Sequence, residues 1–311
     1  MPIKELPPVG RFAPTPSGRL HLGNLFCAMI AYLSVRHRGG QFLLRIEDLD
    51  RPRCPMHLSE MAIRDLEKMG FTWDGPILFQ SQRDDHYEAA LQCLRSQGLI
   101  YPCFCTRAEL HASIAPNLGD TMLVYPGTCA RLTPEEVRRK SETRAPALRL
   151  RVPDETISFR DRLQGMVSEN LLRDCGDFVL RRSDGLWGYQ LAVVVDDAQS
   201  GVTEVVRGMD LLSATPRQIY LQRCLSLAPV HYMHIPLLLD PRGRRLAKRD
   251  RDLSLDVLLE KFRAEELWGF LACAAGFLSA PEPLSLDDLL EVYDEGKLPR
   301  DHAVLPEALV R

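Results

Sequence analysis

The sequence predicts an α/β protein built on a parallel sheet, and three observations carry that prediction. Near the N-terminus a proline-rich loop, a segment of helical period and a buried apolar run follow one another, which is the order of a βαβ unit. Toward the other end, Leu237-Leu238-Leu239-Asp240 closes a strand-like run and delivers the chain into a flexible basic loop. Between the two, the pattern changes from Cys103 onward, as an insertion into one core would change it. At 311 residues the chain can bury a sizeable core in one large domain or two.

Taken in order, Gly10 to Ala13 leads into Pro14-Thr15-Pro16-Ser17-Gly18, whose prolines and glycine force a loop. Leu25 to Val35 is apolar with helical period, and Gly39-Gly40 ends it. Gln41 to Ile46 then has the continuous apolar character of a strand buried in a parallel sheet. Leu58 to Met69 and Asp85 to Gln97 are predicted helices, stopped by Gly70 and Gly98. Thr106 with Glu109, and Thr133 with Glu136, fit capping boxes; Pro134 occupies the first helical position of the second. Ala115 to Pro126 has loop composition, while Leu148 to Val152 and Ile157 to Arg160 look like short strands. Phe178 to Leu180 and Tyr189 to Val195 return to apolar strand character, and Thr215-Pro-Arg-Gln218 is expected to cap a helix. Beyond Arg251 a helical region is expected to the end, with starts at Ser254 and Ser285.

These readings divide the chain into a first half of the core over 1–105, an insertion with its own small fold over 106–174, a second half over 175–251 and a helical C-terminal region over 252–311. Hydrophobic residues at 45% and charged residues at 26% exclude a disordered or coiled-coil protein. Met1 to Phe12 lacks the order of a secretory signal, and no apolar run reaches the ~20 residues of a membrane span. Nine scattered cysteines are not the dense even framework of a small secreted domain, so a reduced, cytoplasmic, soluble protein is expected. A net charge of −3 argues against a uniformly basic nucleic-acid binder. It leaves room for a local cluster such as Arg242-Gly243-Arg244-Arg245 with Lys248, Arg249 and Arg251, which is equally compatible with a solvated loop.

The first candidate for chemistry is the turn His21-Leu22-Gly23-Asn24. A helix starting here offers free amides and a positive dipole end to an anion. Gly23 lets a flat base approach the backbone, and His21 can donate to a phosphate oxygen as charge builds. By itself the turn is as well explained by a histidine that merely caps a helix. The downstream basic loop supplies a second, spatially compatible part, able to close over a triphosphate and neutralise departing pyrophosphate. Cys103-Phe-Cys105 with Cys129 is the one plausible metal set, although three thiolates leave one position of a tetrahedral zinc site unfilled. Cys27, Cys54, Cys93, Cys175, Cys224 and Cys273 are isolated and read as small buried hydrophobes.

In these motifs the chain resembles class I aminoacyl-tRNA synthetases. His21-Leu-Gly-Asn24 is similar to their HIGH signature and Arg245-Leu-Ala-Lys-Arg249 to their KMSKS loop. Arg11-Phe-Ala-Pro-Thr-Pro-Ser-Gly18, Arg45-Ile-Glu-Asp-Leu-Asp50, Tyr189-Gln-Leu-Ala192, Val195-Asp-Asp197 and Gly201 to Leu211 resemble the blocks of the glutamyl-tRNA synthetases, in order and at comparable spacing. Asn24 stands where the signature has its second histidine, and Arg245 and Ala247 replace the first lysine and the serine of the loop. The fold this resemblance implies is a Rossmann-type parallel core with a zinc-containing insertion and a short helical C-terminal region.

The roles it implies are specific. His21 and Lys248 would be catalytic; His21, Gly23, Asn24, Arg245 and Lys248 would bind ATP, with Mg²⁺ on its phosphates and Lys248 as the main pyrophosphate contact. Arg11 and Arg207 would hold the carboxylates of L-glutamate, Glu47 would face its ammonium, and Tyr189 and Thr15 would close the pocket. Tyr125 would be the fourth ligand of one structural Zn²⁺ beside Cys103, Cys105 and Cys129, with His111 as the alternative. About sixty residues follow Arg251, too few for an anticodon-binding region, so the chain resembles the shortened, glutamyl-queuosine branch of the group. What that implies is activation of glutamate without tRNA, then transfer to the queuosine base in the anticodon loop of tRNA(Asp), by a monomer with no membrane partner. Two rival expectations stand beside it: a catalytically silent amino-acid or tRNA binder, and a short ligase for another small acceptor.

Overall fold

A computed structural model describes residues 6–106, 109, 124–244 and 254–309. Its first half is a parallel β-α-β unit. Strand β1 (Val9–Phe12) runs into the proline loop, helix α1 spans Leu22–Arg36, and β2 (Gln41–Ile46) returns beside β1 with Val9 opposite Gln41 and Phe12 opposite Leu44. The two-residue β3 (Leu78–Phe79) adds to the other edge of β2. Apolar residues surround α1 on nearly every side, so it is buried along most of its length, and Gly39 at φ +65° lets the chain leave it for β2. Helices α2 (Met56–Lys68) and α3 (Asp84–Ser96) fall where their glycine stops predict, within two residues at each end.

The second half supplies β9 (Glu204–Gly208) and β10 (His231–Ile235), parallel to each other with Arg207 opposite His234. β10 continues to β6 (Thr156–Asp161), which forms a hairpin with β7 (Gly165–Asn170), giving the order β7-β6-β10-β9. The Thr203 amide donates to the Val9 carbonyl at 2.9 Å and ties this sheet edge to edge with β1. The carboxyl ends of β1, β2, β9 and β10 therefore gather on one side, where ligands bind in open α/β sheets.

Several expectations need correction. Tyr189 to Val195 is not a strand but the start of helix α5 (Tyr189–Gln199). Leu191 to Val195 is buried throughout, and an apolar run surrounded by core loses the alternation that separates strand from helix. The described part of segment 106–174 does not fold apart from the rest. Its β5 (Ala147–Leu150) lies between β4 (Ile100–Cys103) and β8 (Phe178–Arg181), both outside the segment, and its β6 joins the core sheet. Thr215 opens α6 (Thr215–Cys224) without capping it, because its hydroxyl is turned to Arg207. Helix α4 (Pro134–Ser141) does carry the predicted capping box at Thr133 and Glu136, and the Thr106–Glu109 pair makes the same two bonds.

Nor is the C-terminal region helical to its end. After α7 (Leu255–Lys261), α8 (Ala264–Ala274) and α9 (Leu286–Val292), strand β12 (His302–Val304) pairs in parallel with β11 (Leu237–Leu239). Leu267, Trp268, Leu271 and Ala303 share one core with α1, β1 and β2. Cys93 is exposed, contrary to its expected burial. The expected loop over 115–123 lies outside the described residues, and no described helix is long and apolar enough to cross a membrane.

Candidate active site

Eight residues singled out by the sequence line one cavity of about 640 Å³ at the carboxyl ends of β1, β2, β9 and β10: Arg11, Thr15, His21, Gly23, Asn24, Glu47, Tyr189 and Arg207. That size suits a small-molecule or nucleotide-sized ligand. Arg245, Lys248 and His111 lie outside the described residues. The chain on both sides of 245–253 is placed against the cavity: Leu237 and Leu238 form part of its wall, and Ser254 bridges to His21.

His21 is the N-cap of α1. Its Nδ1 accepts from the Gly23 amide at 3.1 Å, and the Asn24 side chain accepts from the His21 amide at 3.1 Å. Asn24 thus completes a reciprocal cap that a neutral amide performs as well as an imidazole. With Nδ1 used as an acceptor, the ring proton of neutral His21 sits on Nε2.

The guanidinium groups divide into two kinds. Arg11 Nε and Arg45 Nη1 both donate to Asp197 Oδ1, at 3.0 and 2.6 Å, and all three side chains are buried. Burial pushes the Asp197 carboxyl up, but the two guanidiniums outweigh it and hold the group below its ordinary value. Glu47 is 3.5 Å from both Arg45 and the Thr15 hydroxyl, contacts too long to neutralise it fully. Burial therefore raises its pKa despite Arg45 and Arg11. So Glu47 is both an ion-pair member and a cavity-lining carboxylate.

Arg207 is different. It is 4% exposed, yet makes no salt bridge among the described residues. Its short bonds go to neutral acceptors: Nε to His234 Nε2 at 2.9 Å, Nη1 to Gln218 Oε1 at 2.8 Å and Nη2 to Thr215 Oγ1 at 2.7 Å. Tyr189 Oη and the Leu211 carbonyl approach only to 3.5 and 3.4 Å. A guanidinium has five N–H donors, so two remain weakly used. Among the described residues Arg207 touches only neutral groups, with Asp161 reaching it only through His234, and the cavity wall also carries the carboxylates of Glu47 and Asp210. An anion entering the cavity would find its counter-charge at Arg207.

Asp197, Thr215, Gln218, His234 and Asp161 hold this arrangement, a role that no sequence motif assigned to them. Cys27 packs against the core as expected and also lines the cavity, and burial pushes its thiol up to about 11 and keeps it protonated. Asp210 lines the opening as a further carboxylate.

A second cluster joins the end of β4 to residues of the 106–174 segment. The sulfurs of Cys103, Cys105 and Cys129 fall within 4.8 Å of one another, with Cys105 and Cys129 3.6 Å apart. Tetrahedral zinc at ~2.3 Å from each thiolate spaces its sulfurs ~3.8 Å apart. The Tyr125 oxygen lies 3.4 Å from Cys103 Sγ and 3.8 Å from Cys105 Sγ, making a fourth donor. Burial raises the Cys103 thiol, but hydrogen bonds from Tyr125 and Arg149 bring it below its ordinary value; Cys105 is pushed up to about 11 by burial. The donor set fits a metal ion, and a cation is what would keep all three thiols ionised together.

Comparison with known proteins follows the same lines. Residues 9–267 match the family described as tRNA synthetases class I (E and Q), catalytic domain. The glutamyl-Q tRNA(Asp) synthetase of Symbiobacterium thermophilum is 46% identical over 96% of this chain and 95% of its own length. That of Thiobacillus denitrificans is 50% identical over 78% of each chain. Among solved structures, a glutamate tRNA ligase from Elizabethkingia meningosepticum, in complex with its amino acid, is similar with a TM-score of 0.83 at 26% identity, over 98% of this chain and 68% of that one.

Proposed function

Since the chain belongs to the class I glutamyl- and glutaminyl-tRNA synthetase family and is a ligase of the aminoacyl-tRNA synthetase type, we propose that it activates L-glutamate with ATP and transfers it to the queuosine base of tRNA(Asp). The observation that carries the glutamate half is Arg207, a buried guanidinium with neutral partners in a cavity that also presents Glu47. A carboxylate on Arg207 and an ammonium near Glu47 satisfy both ends of an amino acid. Arg11 lines the same cavity and is assigned to the second carboxylate, although Asp197 takes up part of its charge.

In this reading a glutamate carboxylate oxygen bonds to the α-phosphorus of ATP as pyrophosphate leaves. The acceptor hydroxyl then attacks the mixed anhydride and releases AMP. Binding energy spent on orientation and charge stabilisation accounts for such a reaction without a covalent enzyme intermediate. His21 Nε2–H, at the positive end of α1, donates to phosphate oxygen, and Gly23 and Asn24 shape the adenosine side. Arg245 and Lys248 are assigned to the pyrophosphate, and Mg²⁺ accompanies ATP. The names of the relatives support the acceptor, tRNA(Asp). Zinc is assigned to Cys103, Cys105, Cys129 and Tyr125 as a structural ion, and the protein is assigned to the cytoplasm as a monomer.

Glutamate-dependent ATP–pyrophosphate exchange in the absence of tRNA tests the first step. Exchange is expected with glutamate, and Arg207→Gln should weaken glutamate binding by about 2–5 kcal/mol, raising its KM roughly 30- to 4,000-fold. No exchange with any amino acid, or an unchanged KM in Arg207→Gln, would refute the assignment.

A further inference from the structure

Arg207 heads a buried chain of three side chains, continued by His234 and Asp161. Arg207 Nε–H donates to His234 Nε2 at 2.9 Å, so that nitrogen is an acceptor. Neutral imidazole carries one proton, which must then sit on Nδ1, 2.6 Å from Asp161 Oδ2. Both side chains are fully buried. Asp161 is itself fixed: its Oδ1 accepts from the amides of Leu163 and Gln164 at 3.0 and 2.9 Å, and its carboxylate faces the His234 amide. Thr215 Oγ1 lies 3.1 Å from His234 Nε2 and 2.7 Å from Arg207 Nη2, closing the same side of the guanidinium. The occupied Nε leaves only the terminal nitrogens of Arg207 for a ligand.

We propose that Asp161 and His234 are positioning residues for glutamate recognition: Asp161 fixes the Nδ1–H tautomer of His234, whose Nε2 then holds the Arg207 guanidinium with its terminal nitrogens toward the substrate carboxylate. This rests on the reading that Arg207 binds glutamate. The opposite tautomer would set Nε2–H against Nε–H of Arg207, two donors facing each other, and an imidazolium would add like charge. Arg207 and Arg11 are the cations that disfavour that imidazolium, Asp161 is the anion that favours it, and burial disfavours it most. The device resembles in logic a carboxylate that orients a histidine by hydrogen bonding its far nitrogen.

Asp161→Asn tests it with almost no change of shape. The amide oxygen can keep the backbone N–H donors, while the NH₂ group now donates to Nδ1 and moves the ring proton to Nε2. Glutamate KM in ATP–pyrophosphate exchange should rise on the order of 10-fold, with ATP KM and kcat within about twofold. The ¹⁵N shifts of the His234 ring should switch from the Nδ1–H to the Nε2–H pattern. His234→Gln, which can return an acceptor oxygen to Arg207 Nε, should recover glutamate KM better than His234→Leu. Unchanged glutamate KM in Asp161→Asn, with the tautomer switched, would overturn the proposal; so would equal rises in glutamate and ATP KM. If Arg207→Gln leaves glutamate KM unchanged, the glutamate reading itself fails, whatever Asp161→Asn does.

Discussion

At the level of single residues, Arg207 is a cavity-lining guanidinium with no carboxylate in direct contact among the described residues. Arg11 and Arg45 share Asp197, whereas Arg207 is held by His234, Gln218 and Thr215 without an anion. A neutral His234 makes this sensitive to acid. Burial keeps its folded pKa below the ordinary 6.5. Between that depressed value and 6.5 the unfolded chain binds a proton that the folded chain does not, so stability falls as pH drops through this window and is fully present above it. Denaturant unfolding of the wild-type protein should therefore weaken as pH is lowered from 7 to 5. That slope should be shallower in His234→Gln, and an equal slope in both would contradict the assignment.

The residues that face the cavity were legible because each belongs to a local motif with a chemical reason for its spacing. Those that aim Arg207 were not. Asp161, Thr215 and His234 come from three separate elements, and a neutral acceptor for a guanidinium has no sequence period of its own.

At the scale of elements, the same contrast holds. The β-α-β start was legible because loop, helix and strand each carried a distinct signal, and Gly39 marked the exit from α1. Helix α5 was mistaken for a strand because Leu191 to Val195 is buried throughout, although the aspartates that follow reveal its function. Asp197 turns toward Arg11 and Arg45, while the adjacent Asp196 holds Arg83, Gln80 and Tyr87. Two neighbouring side chains serve different partners at ~100° separation around a helix. Strand β12 escaped notice because its three residues acquire meaning only from pairing with Leu237–Leu239.

The insertion yields its own prediction. Cys103 ends β4 and Cys105 lies just beyond it, while Tyr125 and Cys129 approach from later in the chain, so an ion there would tie the two segments together. Protein purified without chelator should contain one zinc per chain and lose thermal stability when zinc is stripped. Cys129→Ser should bind it more weakly, and substoichiometric zinc in never-chelated protein would contradict the assignment.

At the scale of the whole molecule, the parallel strands bring distant motifs to one rim, and the C-terminal segment is part of that frame. Trp268 donates to the Met69 carbonyl at 3.0 Å and packs edge-on against Phe71, joining α8 to the end of α2. Leu255 donates its amide to the Leu20 carbonyl, so the chain that emerges from 245–253 is fixed beside the His21 turn. Leu237, Leu238 and Ser254, which flank 245–253 in the chain, thus all lie beside the cavity that His21 lines. The function proposed above delivers an activated glutamyl group to a modified base. Transfer of labelled glutamate should be compared on tRNA(Asp) with queuosine, tRNA(Asp) without it, and tRNA(Glu). Label confined to queuosine-containing tRNA(Asp) is the predicted result; equal labelling of both forms of tRNA(Asp), or labelling of tRNA(Glu) instead, would contradict it.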